Sequence, residues 1–107
     1  MNGRNWQHAH QRLTQAVSSM AISPKSLGQR LDHAYWHHLH GLHEDEIPSE
    51  LAHELTTLKQ TLAHALDLKE KDVKEAAKAI VDLHTKVWAC HEEAVQNEIR
   101  RNAEAQG

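Results

Sequence analysis

The second half of this chain contains no residue that breaks a helix. From Ser49 to Gln106 there is neither glycine nor proline, and alanine, leucine, glutamate and lysine are abundant there. These residues favour helices, whereas strands need frequent turns and β-branched or aromatic side chains. Only 4% of the whole chain is aromatic, and phenylalanine is absent. The sequence therefore predicts an all-α protein.

Four segments carry apolar residues at spacings of three and four, which is the pattern of an amphipathic helix. We expect helices near residues 5–21, 24–42, 48–66 and 72–101, forming an antiparallel four-helix bundle with a long C-terminal helix. Pro24 and Pro48 suit the first turn of a helix, Ser23 a helix cap, and Asp72 with Glu75 a capping box. A chain of 107 residues fits one domain, residues 1–107, with a frayed end from about residue 102.

The predicted fourth helix carries two apolar stripes. The first is a heptad seam made of Val73, Ala76, Ile80, Leu83, Val87, Cys90 and Ala94. The second lies about 100° around the helix and begins at Ala77. Its other members, here called the Trp88 stripe, are Val81, His84, Trp88, His91 and Val95. Because a monomeric bundle leaves the second stripe incompletely covered, we predict that the Trp88 stripe joins two copies of the chain, with Trp88 as the anchor.

Eleven histidines give the chain a second candidate site. On an α-helix, His33, His37, His40 and Glu44 fall within about 60° of one another, and such spacing lets imidazoles share a zinc, nickel or copper ion. Their face is opposite the apolar side, so it lacks the surrounding groups that tune a metal site. We interpret it as a solvated face that takes up Zn or Ni adventitiously. The alternative is a transition-metal-binding or metal-responsive protein.

Two further groups of residues have positions that could support chemistry. Glu50 and His53 have the Glu-x-x-His spacing of di-iron bundles, but the sequence holds no second copy of that motif. Cys90 lies in the heptad seam, which predicts a buried, inert thiol, and His91 points about 100° away from it. No catalytic residue and no cofactor are predicted.

Three histidines are expected to pack against the protein. His38 lies on the apolar side of the second helix, and His84 and His91 belong to the Trp88 stripe. The first interpretation is that they are core or interface histidines whose ring nitrogens are satisfied by hydrogen bonds. The alternative is that burial, which disfavours the charged imidazolium, lowers the pKa of each ring, so that acidification weakens the packing.

The charge pattern argues against nucleic acid and membrane partners. The formal net charge is −3, and Lys71, Lys74 and Lys78 are interleaved with Glu70 and Glu75 as on a salt-bridged helix face. No segment approaches the roughly 20 apolar residues of a membrane span. With one cysteine, no disulfide can form within the chain. We expect a cytoplasmic protein.

A resemblance supports the fold. The segment Arg30-Leu31, Ala34-Tyr35, Leu39, Leu42, then Ile47-Pro48-Ser49-Glu50-Leu51 with Leu55, Leu58 and Leu62, resembles a group of short bacterial helical proteins. In that group a similar stretch precedes a long C-terminal helix, and the likeness covers about residues 30–88. The group has no assigned activity, so the resemblance implies a fold and no functional residues. We expect a small, non-enzymatic interaction or regulatory module that forms a homodimer.

Overall fold

The computed structural model describes residues 6–106, and these form four α-helices and no strand. The helices are α1 (Gln7–Ile22), α2 (Leu27–Ala34), α3 (Ala52–Leu62) and α4 (Glu70–Gln106). A π-helical turn, Tyr35–Leu39, continues α2, and 3-10 turns occupy Glu44–Glu46, Ser49–Leu51 and Ala65–Asp67. The all-α prediction is confirmed. Asn5, the predicted start of the first helix, lies outside the described residues.

The second helix begins three residues later than the predicted position at Pro24. Ser23 is extended and ends α1, and Ser26 is the residue that caps α2. The Ser26 hydroxyl accepts a hydrogen bond from the Gln29 amide at 3.3 Å, and the Gln29 side chain accepts one from the Ser26 amide at 3.3 Å. This reciprocal pair satisfies two free amides of the first turn, which a proline start does not do.

The third helix ends at Leu62 and not at Leu66, so helices α3 and α4 are separate. After Leu62 the backbone hydrogen bonds shorten to residues three apart, since the His64 amide donates to the Thr61 carbonyl at 3.2 Å. As a result Leu66, the last residue of the predicted third helix, is 63% exposed. Helix α4 starts at Glu70, two residues before the predicted start, which places Asp72 in its first turn, where a carboxylate stabilises the N-terminal dipole.

The core is formed along α4, which α1, α2 and α3 all contact. Its buried residues come almost entirely from the predicted stripes. They are Ala9, Leu13, Ala16 and Met20 of α1; Leu31, Ala34, Tyr35, Leu39 and Leu42 around α2; Leu51, Leu55, Leu58 and Leu62 around α3; Val73, Ala76, Ile80, Leu83 and Val87 of α4; and, in the connecting segments, Ile47 and Ala65. Two basic side chains connect neighbouring helices. Arg30 donates a hydrogen bond to the Met20 carbonyl and Lys59 donates one to the Leu42 carbonyl, each at 2.8 Å.

Helix α4 is much longer than the part of it that the other helices cover. Its 37 residues span about 55 Å, close to the 57 Å length of the molecule. The last fully buried seam residue is Val87, Cys90 and Ala94 are half-buried, and every side chain from Val95 to Glu104 is exposed. We call residues 95–106 the overhang. The helix continues past its predicted end near residue 101, to Gln106.

Candidate functional site

The Trp88 stripe runs from the covered part of α4 onto the overhang. Its three apolar members are partly exposed, with Val81 at 44%, Trp88 at 41% and Val95 at 39%. Ile99, which is 56% exposed, continues the stripe by one turn. The sequence reasoning missed Ile99 because it ended the stripe at Val95, although the spacing of four residues was visible. Together these side chains give the outer half of α4 an apolar face.

Helix α1 contacts one edge of the Trp88 stripe. The ring of His10 stacks on His84 with centroids 4.8 Å apart and lies 4.5 Å from the Trp88 ring. His84 Nε2 is hydrogen-bonded to the Thr14 hydroxyl at 2.9 Å, and the ring of His91 lies 5.8 Å from that of Trp88. The indole therefore contacts two imidazoles while 41% of its surface stays exposed.

Burial changes the titration of His10. Desolvation, followed by the nearby His84 and His91, lowers the pKa of its ring below the ordinary value of 6.5. Sequence reasoning did not single out His10, because no pattern within α1 shows which residues of α4 face it. Close by, Nδ1 of His91 is buried and has no hydrogen-bond partner in the described part of the chain.

Of the four predicted metal ligands, the structure brings His33 and His37 together, whereas the π-helical turn places His40 against Tyr35. In a π turn, residues five apart are neighbours, and the His40 amide accordingly donates to the Tyr35 carbonyl at 2.7 Å. His40 packs against Tyr35, while His33 and His37 stack at 4.0 Å and His38 lies 6.2 Å from His33. The α-helical wheel placed His40 in this cluster, and the structure places His38 there.

Glu44, the fourth predicted ligand, is engaged elsewhere. Its carboxylate accepts a hydrogen bond from Thr56 at 2.8 Å and lies 3.9 Å from the Lys59 ammonium. The Thr56 bond is the main cause of the lowered pKa of Glu44. In residues 6–106 no three histidine, cysteine, aspartate or glutamate side chains are arranged to hold a metal ion.

The prediction of a lowered histidine pKa is confirmed for His38. Desolvation is the main cause, and His33, His37 and Arg12 add to it. Among the lysines predicted to lie on a salt-bridged face, Lys74 pairs with Glu70 at 3.6 Å. Glu50 and His53, the residues with di-iron spacing, are both exposed.

A groove of about 760 Å³ opens where α4 leaves the other helices, and we call it the root groove. Its apolar lining comes from Trp6, Ile47, Pro48, Cys90 and Ala94, and its acidic lining from Glu44, Asp45, Glu50 and Glu93. The Cys90 thiol is half-buried, not fully buried as the seam predicted. Burial, with smaller contributions from Glu50 and Glu93, raises its pKa and so favours the inert, protonated thiol.

Comparisons of this chain with models of protein families, with curated proteins and with solved structures found no match. The resemblance to short bacterial helical proteins therefore stays a prediction. None of the helices in the described part of the chain is both long enough and apolar enough to cross a membrane.

Proposed function

We propose that this protein is a small, non-enzymatic interaction module that forms a homodimer through the Trp88 stripe. The proposal includes an antiparallel four-helix bundle as the arrangement of the monomer and the cytoplasm as its compartment. Helix α4 has two tasks in this proposal. Its first half organises the core, and its outer half presents an apolar face to a second copy.

The observation that carries the proposal is the partly exposed Trp88 beside exposed valines and Ile99. A tryptophan buries 150–250 Å² when fully covered, so an indole that is 41% exposed retains a large apolar area for a partner to cover. Contact with His10 and His91 already restricts the ring, which reduces the side-chain entropy lost on association. Tryptophan is also among the residues that dominate binding energy at interfaces.

Sedimentation of the wild type and of Trp88→Ala at matched concentrations tests the proposal. If Trp88 anchors the contact, truncation should cost at least ~2 kcal/mol of association energy, or roughly a 30-fold weaker dimer. Trp36→Ala is the matched control, because Trp36 is 52% exposed but lies on the π-helical turn beside Tyr35 and His40. It should leave the dimer unchanged. A monomeric wild type, or a Trp88→Ala dimer of unchanged affinity, would show the interface to be wrong.

Metal binding is the second candidate function, and the stacked rings of His33 and His37 are the observation in its favour. Two exposed imidazoles at this spacing can share an ion. In residues 6–106 no third ligand is arranged with them to hold a metal, so the binding should be weak. Titration calorimetry with zinc or nickel should give an affinity weaker than micromolar. His37→Ala should change the free energy of unfolding by no more than ~0.5 kcal/mol. Sub-micromolar binding that His37→Ala abolishes and His53→Ala preserves would establish a metal-binding function instead.

A further inference from the structure

The root groove offers apolar contact that the monomer leaves unused. Its volume of about 760 Å³ falls within the roughly 300–1,000 Å³ of ligand-binding clefts. One wall is α4 beyond Val87, where Cys90 and Ala94 are only half-buried. The other wall comes from residues 44–52, and Trp6, which also lines the groove, is half-buried as well. A ligand that enters the groove can therefore bury apolar surface.

Three carboxylates in the root groove have no cation to neutralise them. Asp45, Glu50 and Glu93 make no ion pair within residues 6–106. The fourth carboxylate, that of Glu44, already has a lysine ammonium 3.9 Å away. Burial is the main cause of the raised pKa of the Cys90 thiol, and Glu50 and Glu93 add to it, which places both carboxylates near that thiol. A cation in the groove would therefore meet unpaired negative charge.

The charges next to the groove do not offset these carboxylates. Lys86 is paired with Glu54 at 3.0 Å. At the outer edge of the groove, Arg100 is hydrogen-bonded to the Asn97 side chain at 3.5 Å. The overhang as a whole has no net charge, because its two acids and two bases balance; they are Glu98, Arg100, Arg101 and Glu104. The groove therefore stays negative, and its charge favours a cationic ligand.

We propose that the root groove binds an arginine-containing peptide segment of a partner protein. The guanidinium pairs with Glu50 and Glu93, and an aliphatic side chain next to it in the peptide covers Ala94. Arginine suits this site because its planar group can pair with carboxylates and also stack on an aromatic ring, which Trp6 supplies. An inorganic cation would leave the apolar lining uncovered, and residues 6–106 offer no set of three metal ligands.

The groove is independent of the Trp88 stripe. On the helical wheel of α4 its lining residues are centred about 150° from the stripe. They are Cys90, Glu93, Ala94 and Asn97. A dimer formed through the stripe therefore leaves one groove accessible on each copy. The inference goes beyond the proposed dimer, because it gives the module a partner to bind, and two grooves in one dimer can raise the affinity for a partner with two such segments.

Titration calorimetry with a synthetic hexapeptide of alternating leucine and arginine, blocked at both ends, tests the proposal. We expect saturable binding of one peptide per chain. A peptide with glutamine in place of arginine, and one with glycine in place of leucine, should each bind at least about tenfold more weakly, because each lacks one half of the recognised chemistry. In nuclear magnetic resonance spectra, the amide signals of Glu50, Glu93 and Ala94 should shift on binding, and that of Val81 should not.

Matched substitutions locate the charge that the peptide recognises. Glu50→Gln combined with Glu93→Gln should weaken binding about tenfold, which is within the range for two exposed ion pairs. Glu92→Gln combined with Glu98→Gln removes the same charge from exposed positions of α4 outside the groove lining. This control should change the affinity by less than about twofold. Trp88→Ala should bind the peptide as the wild type does.

Three results would overturn the site: no saturable binding, equal binding of the peptide of glycine and arginine, or equal losses from the two pairs of substitutions. Arg4, which precedes the described residues, is the competing occupant within the chain. If Arg4→Gln binds the peptide more tightly than the wild type, the N-terminal segment occupies the groove and the partner assignment is wrong. A monomeric wild type that binds the peptide contradicts only the proposed dimer, and a dimer that does not bind it contradicts only this inference. Circular dichroism shows whether each variant keeps its helices.

Discussion

The two halves of α4 share one helix but differ in what surrounds them. Between Val73 and Val87 the seam holds valine, isoleucine, leucine and Ala76, all buried, and α1, α2 and α3 contact the helix. Beyond Val87 the same seam positions hold Cys90, Ala94 and then polar residues, while the Trp88 stripe stays apolar through Ile99. The apolar face thus moves around the helix at the point where the covering helices end.

This change of face explains why the monomer buries one stripe and exposes the other. A helix is stabilised in a protein mostly by packing of its apolar face, and helix propensity contributes less. In the first half the packing comes from the same chain. Within the described residues, helix α1 contacts the stripe at its beginning, where His10 packs against His84 and Trp88 and the Thr14 hydroxyl is hydrogen-bonded to His84. The outer turns of a monomer therefore depend on their own hydrogen bonds.

Amide hydrogen exchange should show the largest difference between the halves. Amides from Ile80 to Val87 should exchange only when the whole protein unfolds, whereas those after Glu98 exchange by local fraying. We expect rates at least ~1,000-fold faster in the overhang of the dilute protein, which corresponds to roughly 4 kcal/mol. Raising the protein concentration should slow exchange in the overhang as the dimer forms. Equal protection of both halves in a monomer would contradict this comparison.

Two identical substitutions compare the halves by stability. Ile80 is fully buried and Ile99 is 56% exposed, and both lie within α4, so Ile→Ala changes helix propensity equally at the two positions. Ile80→Ala should lower the free energy of unfolding by about 2–5 kcal/mol, because it leaves a cavity in the core. Ile99→Ala should stay within ~0.5 kcal/mol in dilute solution. Urea denaturation of both variants at the same low concentration measures the difference, and similar losses would mean that the overhang packs in the monomer.

The helices of the core could be predicted from the sequence because their stripes are periodic and local. The spacing of Leu51, Leu55, Leu58 and Leu62 is visible without any knowledge of the neighbouring helices, and all four are buried. The same holds for the seam of α4 as far as Val87. Helix starts were less predictable, because two kinds of start signal lie within a few residues of each other. At α2 these are Pro24 and the capping pair of Ser26 and Gln29, and the structure uses the capping pair.

The candidate sites depended on information that the sequence does not carry. A π turn needs one shifted hydrogen bond, and no glycine or proline within Tyr35–Leu39 marks it. The helical wheel therefore grouped His40 with His33 and His37, whereas the structure places His38 beside them. His10 reaches the stripe only because α1 packs against α4 in one particular register. Contacts between elements far apart in the chain are set by packing, which periodicity within one helix does not reveal.

The smallest predicted effect is a pH dependence at His10, where the covered and uncovered halves of α4 meet. Burial, then His84 and His91, lowers the pKa of His10 in the folded protein, so the unfolded chain binds a proton more readily. The free energy of unfolding should therefore fall as the pH falls below about 6.5, the ordinary histidine value, and level off below the folded-state pKa. Urea denaturation at neutral and acidic pH measures this loss.

The comparison with His10→Gln isolates the contribution of this ring. The variant cannot acquire the charge at position 10, so it should lose less stability on acidification than the wild type does. His38, on the π-helical turn, has a pKa lowered in the same direction by burial, then by His33, His37 and Arg12, and it contributes a similar pH dependence. His38→Gln should therefore reduce the pH dependence of stability without changing that of dimerisation. His10→Gln should reduce the pH dependence of stability and also that of dimerisation, because the wild-type His10 ring contacts Trp88 directly. An unchanged pH dependence of dimerisation in His10→Gln would mean that α1 does not influence the outer half of α4.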